Sequence, residues 1–141
     1  MLNKVISSIV LITLASNCWG MSLQDNGDGT VSDFDTGLLW QQQDDNSQRT
    51  WGSAVGYCNG LTLAGKTDWR LPEVKELVSI VDYRVYFLSI DNTFFQGTNA
   101  TFYWSASSFA SDSADAWSVS FTDGSIRANI KTSSQYVRCV S

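Results

Sequence analysis

Apolar residues along this chain fall into groups with different spacings, and each spacing predicts a different element. The first group, Val5 to Ala15, is nearly continuous, broken only by Ser7, Ser8 and Thr13, and is preceded by Lys4. It is shorter than the roughly 20 residues a membrane-spanning helix needs and has the length and flank of a secretory signal. The expected cut follows Gly20, with Cys18 and Gly20 as the small residues, so that 1–20 is a signal peptide and 21–141 the mature domain. The alternative is a lipoprotein with Cys18 as its modified N-terminus, although Asn17 is bulky for a position just before such a cut.

The next apolar positions are sparse and separated by turn-forming residues. Asp25-Asn26-Gly27-Asp28-Gly29 leads into Thr30-Val31-Ser32-Asp33, and Thr36-Gly37 into Leu38-Leu39-Trp40-Gln41. This pattern predicts a hairpin, followed by a polar loop over 42–49. Trp51, Ala54, Val55 and Cys58 then recur at i, i+3, i+4 and i+7, predicting a helix capped by Thr50 and ended by Gly60. A second helical stripe, Val74, Leu77, Val78 and Val81, follows Pro72, which is expected at the first helical position, with Glu73 favouring that terminus. Beyond Phe94 the period shortens to two. Phe102, Tyr103 and Trp104 open a β-rich half, and Trp117, Val119 and Phe121 alternate with Ser118, Ser120 and Thr122. Asp123-Gly124 predicts a two-residue hairpin turn, Ile126, Ala128 and Ile130 return on the next strand, and 136–140 forms a last strand. Two helices followed by an antiparallel sheet make an α+β order.

Charge and cysteines narrow the picture. All fourteen acidic residues lie after position 20, against eight basic ones there, a net charge of −6 for the mature part. Such a chain lacks the positive field that nucleic acid or an anionic membrane requires. Setting aside Cys18 leaves Cys58 and Cys139, an even number in an oxidising compartment. Paired, they close a loop of about 80 residues, worth roughly 4 kcal/mol in the chain-entropy model; a pair of reactive thiols is the alternative. There is no histidine, which removes Ser-His-Asp and Cys-His catalysis and the commonest zinc-ligand sets.

Several motifs occur in one order: 25–40, Thr50-Trp51 through Tyr57-Cys58, Asp68-Trp69-Arg70-Leu71-Pro72-Glu73-Val74-Lys75-Glu76-Leu77, Tyr103-Trp104-Ser105, Phe121-Thr122-Asp123-Gly124 and Val137-Arg138-Cys139-Val140. Together they resemble the C-terminal domain family of the Legionella collagen-like protein, over nearly the whole mature chain. The resemblance implies a relation to the C-type-lectin-like fold, in which an early helix carrying a Trp and a Cys is tied by disulfide to the final strand. Cys58 and Cys139 occupy those places. It also implies adhesion to sulfated polysaccharides, from which this chain departs: it is acidic and has no Lys/Arg cluster. Formylglycine-generating relatives use reactive cysteines near the C-terminus, and the only candidates here are the pair just assigned to the disulfide.

Asp25 and Asp28 invite calcium, but lack the spacing of an EF-hand loop and are read first as turn residues, with calcium the weak alternative; no cofactor is expected. The lectin-type calcium loop is absent, since the sole proline, Pro72, starts a helix. Trp69, Arg70, Leu71 and Pro72 are read as structural, with Trp69 in the core and Arg70 on a carboxylate or loop carbonyls. Trp40, Trp51 and Trp117 are expected in the core. The candidate ligand residues are Tyr103, Trp104, Phe109, Asp112 and Asp115, in a stretch where aromatics alternate with short polar groups. The resulting expectation is a non-catalytic, exported recognition or adhesion domain binding a glycan or protein ligand. A structural component of an envelope assembly and an enzyme using carboxylates alone are the alternatives.

Overall fold

The computed structural model describes residues 22–141; the expected signal peptide and Cys18 lie outside them. The order is β1 (Leu23–Asp25), β2 (Thr30–Asp33), β3 (Leu38–Gln41), α1 (Trp51–Asn59), α2 (Val74–Ser79), β4 (Phe102–Phe109), β5 (Asp112–Ser120) and β6 (Ile126–Ile130). The predicted α+β composition stands, but the strands form two antiparallel three-stranded sheets, β1-β2-β3 and β4-β5-β6, rather than one. Among the described residues no helix is long and apolar enough to cross a membrane.

The first sheet is made by its turns. Asp25 and Asp28 accept backbone N–H groups two residues ahead, from Gly27 at 2.9 Å and Thr30 at 3.1 Å, closing Asx turns. The β2–β3 hairpin turns through Gly37 at φ +75°. Thr50 stands at the N-cap of α1 in extended conformation, but its hydroxyl lies 3.2 Å from Ser53 Oγ and caps no backbone N–H. Helix α2 starts later than predicted. Glu73 is the N-cap, because Glu73 and Glu76 form a reciprocal capping box in which Glu76 accepts the Glu73 N–H at 2.8 Å. Pro72 lies before the helix, and its carbonyl accepts the Ala106 N–H at 2.7 Å.

The second sheet shows the predicted alternation, with Val119 opposite Tyr103 and Ile126. Its β5–β6 connection is longer than the expected two residues: Ser120 N–H donates to the Ser125 carbonyl at 2.8 Å, leaving 121–124 as the turn, with Gly124 at φ +78°.

What joins the sheets is the C-terminal segment. It is not the regular last strand predicted; it is an extended stretch whose partners change along its length. Tyr136 exchanges backbone bonds with β4, through Trp104 and Phe102, while Cys139 and Ser141 bond β3, at Gln41 and Leu39, and Val140 exchanges two bonds with Arg70. Because one short segment serves both sheets, no ladder grows long enough to be a strand. The Cys58–Cys139 disulfide, with Cα atoms 5.5 Å apart, pins α1 to this seam, as the cysteine count predicts. Two apolar clusters flank it. One gathers Trp40, Leu77, Phe95, Tyr103 and Phe121, and the other Ala54, Cys58, Trp69, Trp104 and Cys139.

Candidate functional site: an exposed aromatic loop

After α2 the chain passes through buried Val81 into a loop, 82–89, that displays aromatics to solvent. Tyr83, Tyr86 and Phe87 are 65%, 79% and 69% exposed, and Val85 is exposed beside them. Large apolar side chains gathered on one exposed loop differ from the scattered ones any surface carries.

The loop is held rigidly at its base. Asp82 and Ser89, both buried, close it through the Asp82 N–H to the Ser89 carbonyl at 2.8 Å. The single Ser89 hydroxyl proton is shared between the carbonyls of Val85 at 2.6 Å and Thr122 at 3.0 Å. The N–H groups of Phe87 and Ser89 donate to Thr122 and Phe121, each at 2.7 Å, docking the loop on the β5–β6 turn. Arg84 grips Asp82 with two bonds of 2.9 Å, and these hold the Asp82 carboxyl below its ordinary pKa. Tyr83 packs against Gly124, where an added Cβ would meet its ring at 2.5 Å and Val81 at 2.7 Å. Phe87 sits at φ +81°, a conformation that bulky L-residues avoid at a cost of about 1–2 kcal/mol.

Of the five residues predicted to bind a ligand, Phe109 and Asp112 pair across the β4–β5 hairpin, and Tyr103 and Trp104 stand apart from them. Tyr103 and Trp104 are fully buried and belong to the core. Trp104 Nε1 donates to the Arg49 carbonyl at 2.8 Å. The Tyr103 hydroxyl accepts the Asn99 N–H at 2.9 Å and donates to Asp44. Burial, above all, raises the Tyr103 pKa. These two residues follow the β4 alternation into the two clusters, so neither side chain forms surface. Phe109 is half-buried at the far end of the β4–β5 hairpin, edge-on to Trp117 with centroids 5.0 Å apart. Trp117 is thus half-exposed rather than core. Asp112 is exposed and accepts the Ala114 N–H at 2.9 Å, and Asp115 is half-buried opposite Ile130.

Trp69 is buried, its Nε1 shared between the carbonyls of Leu63 and Lys66 at 3.3 and 3.2 Å. Arg70 binds Glu76 with two bonds, 2.7 and 2.8 Å, and buried Leu71 and Pro72 lead into α2. Asp28 Oδ1 also accepts the Thr30 hydroxyl, at 2.5 Å. Among the described residues no three His, Cys, Asp or Glu side chains converge as a metal site requires. A shallow groove of about 330 Å³ between α2 and the β2–β3 turn is lined by Thr36, Leu38, Lys75, Glu76 and Ser79, and its one carboxylate is the partner of Arg70.

This loop is not among the sites the sequence pattern predicts. The signal was present as Tyr83, Val85, Tyr86, Phe87 and Leu88, a dense apolar run after the second helical stripe that follows neither a helical nor a strand period. Chemically, the loop offers aromatic faces for stacking, two tyrosine hydroxyls and an Arg–Asp pair for hydrogen bonding.

The family model described as the Lcl C-terminal domain matches residues 29–141. No curated protein matches the chain.

Proposed function

The chain belongs to the Lcl C-terminal domain family, and we propose that it is a non-catalytic recognition domain working outside the cytoplasm, with the aromatic loop as its binding surface for a glycan or protein. The observation that carries this reading is the combination of exposure and restraint at Tyr83, Tyr86 and Phe87. Apolar side chains left in water return no folding energy, and Phe87 adds backbone strain, yet buried hydrogen bonds hold the whole arrangement. Backbone strain of this kind persists where surroundings over-determine it and clusters at ligand clamps. A preorganised aromatic loop also loses little conformational entropy on binding.

Export is the compartment that suits the buried Cys58–Cys139 disulfide. The tie from α1, with Trp51 and Cys58, to the terminal segment supports reading the fold as a relative of C-type-lectin-like domains.

The test is binding of the purified chain to a glycan array and to solubilised envelope proteins, beside a Tyr83→Ala/Tyr86→Ala/Phe87→Ala variant. Aromatic contacts worth about 0.5–1.5 kcal/mol each predict at least a tenfold loss of affinity in the triple variant. Equal binding by both proteins, or no ligand for the native chain on either platform, would overturn the reading.

A further inference from the structure

Strand β6 is an edge of the second sheet, and its outer side is unpaired among the described residues. Its register with β5 is regular throughout, from Val119 opposite Ile126 to Asp115 opposite Ile130. The N–H groups of Lys131 and Ser120 bond Ala114 and Ser125 across that ladder at 2.9 and 2.8 Å. Odd-numbered residues of β6 therefore face β5, and the backbone groups of Ile126, Ala128 and Ile130 face outward. The side chains of these same three residues share one face of the sheet with Trp117, which stands opposite Ala128. Ile126 and Ile130 are 45% and 54% exposed. A straight edge with β-branched side chains and no proline is a template for strand addition.

We propose that this edge is a self-association surface, on which a second copy of the chain adds its own β6 antiparallel about a two-fold axis at Ala128. The strand reads Ile126-Arg127-Ala128-Asn129-Ile130, and its apolar positions are symmetric about the centre. The two-fold sets Ala128 against Ala128 of the partner and each Ile126 against an Ile130. Each Arg127 then faces an Asn129, so no like charges meet across the seam. The Ala128 pair exchanges two backbone bonds. The Ile130 carbonyl is already taken by the Ser133 N–H at 2.9 Å and hydroxyl at 2.7 Å. Each outer pair therefore adds one bond, from Ile130 N–H to the Ile126 carbonyl, four in all. A foreign peptide would need no such symmetry, and this favours the second copy. The result is a continuous six-stranded sheet whose interface lies at the small end of specific contacts, so the dimer is weak and concentration-dependent. The net charge of −5 on each chain opposes it, and salt strengthens it by screening.

The register makes the experiment specific. In a hydrogen-bonded antiparallel pair the Cα atoms lie about 5.5 Å apart, within disulfide reach. In a Cys18→Ser background of the full chain, Ala128→Cys is expected to crosslink to itself under oxidation, whereas Ile126→Cys is not. Sedimentation across a concentration series should show dimer for the native chain and for Ile126→Lys/Ile130→Glu, which places opposite charges across the seam. Ile126→Lys/Ile130→Lys should be monomeric, with unchanged circular dichroism as the check on folding. A native chain that stays monomeric at every concentration and salt, or a dimer that both charge variants retain, overturns the proposal.

Discussion

The Tyr103 hydroxyl donates a hydrogen bond to Asp44 in the interior and accepts the Asn99 N–H, while its ring packs against those of Phe121 and Tyr136, with centroids 5.1 and 5.6 Å away. Tyr103 comes from β4 and Asp44 from the polar loop after β3, so one bond ties the second sheet to a loop of the first.

Burial raises the pKa of Tyr103 well above its ordinary value, which fixes the sign of an alkaline effect. The unfolded chain releases this proton near pH 10 while the folded chain keeps it. The stabilisation is complete below about pH 10 and is lost as pH climbs beyond it. Tyr103→Phe should cost about 1–3 kcal/mol at neutral pH, since the buried Asp44 and the Asn99 N–H lose a partner, and it should flatten the alkaline limb. Urea titrations from neutral pH to about pH 11 check both.

Glu76 gives the opposite limb. Its carboxyl is held below its ordinary range, first by the hydrogen bonds from Arg70 and also by the Glu73 N–H. A depressed carboxylate stabilises the fold above its unfolded pKa of about 4.3 and gives that stability up as pH falls through its lower folded value. Glu76→Ala removes both the ion pair and the capping box, an expected loss of about 1 kcal/mol. Glu76→Gln keeps an acceptor for the Glu73 N–H and should lose only a few tenths. Both variants should show a shallower acid limb in chemical denaturation.

Much of this architecture was legible where one local rule decides it. The α1 stripe reports burial directly, at Ala54 and Cys58, whereas in β5 Ser118 and Ser120 are as buried as Val119 and Trp117 is half-exposed. Local rules mislead where two signals compete. Pro72 marks a helix start in isolation, but the Glu73–Glu76 capping box moves the N-cap past it. Tyr103 and Trp104 look like ligand residues by composition, yet consecutive β4 positions send them into clusters on opposite faces. Arg138 is the clearest case. A lone basic residue between Val137 and Cys139 gives no hint that its guanidinium is fully buried, donating to the carbonyls of Gln41 at 2.7 Å and Gln42 at 2.5 Å and to Thr98 Oγ1 at 2.7 Å. Those partners lie about 40 and 96 residues away in the chain, beyond any local pattern.

The disulfide makes a prediction of its own size. It closes a loop with a sequence separation of 81, for which chain entropy gives about 4 kcal/mol. Cys58→Ala/Cys139→Ala should lower stability by about that amount, a large part of the 5–15 kcal/mol typical of a domain. The loss should appear in calorimetry as a lower Tm and should match that of the native chain under reduction. A Tm unchanged by reduction would mean that the two-sheet seam is held by its backbone bonds alone.

The aromatic loop predicts a separation of stability from binding. Phe87 is mostly exposed, so its replacement by Gly forfeits little packing, while the left-handed backbone loses its strain of about 1–2 kcal/mol. Glycine's added freedom in the unfolded chain takes back about 0.4–1 kcal/mol. Phe87→Gly should therefore leave stability unchanged or raise it by up to about 1.5 kcal/mol, yet weaken ligand binding. Gly124→Ala works from the other side. Its methyl would sit 2.5 Å from the Tyr83 ring at φ +78°, displacing the loop and costing about 1–3 kcal/mol. Gly27→Ala, with φ +72° and nothing within 4 Å, carries the backbone strain without the collision. Thermal unfolding of the three variants checks the order, and ligand titration checks the function. A Phe87→Gly protein several kcal/mol less stable than the native chain would show that the ring supports the fold rather than waits for a partner.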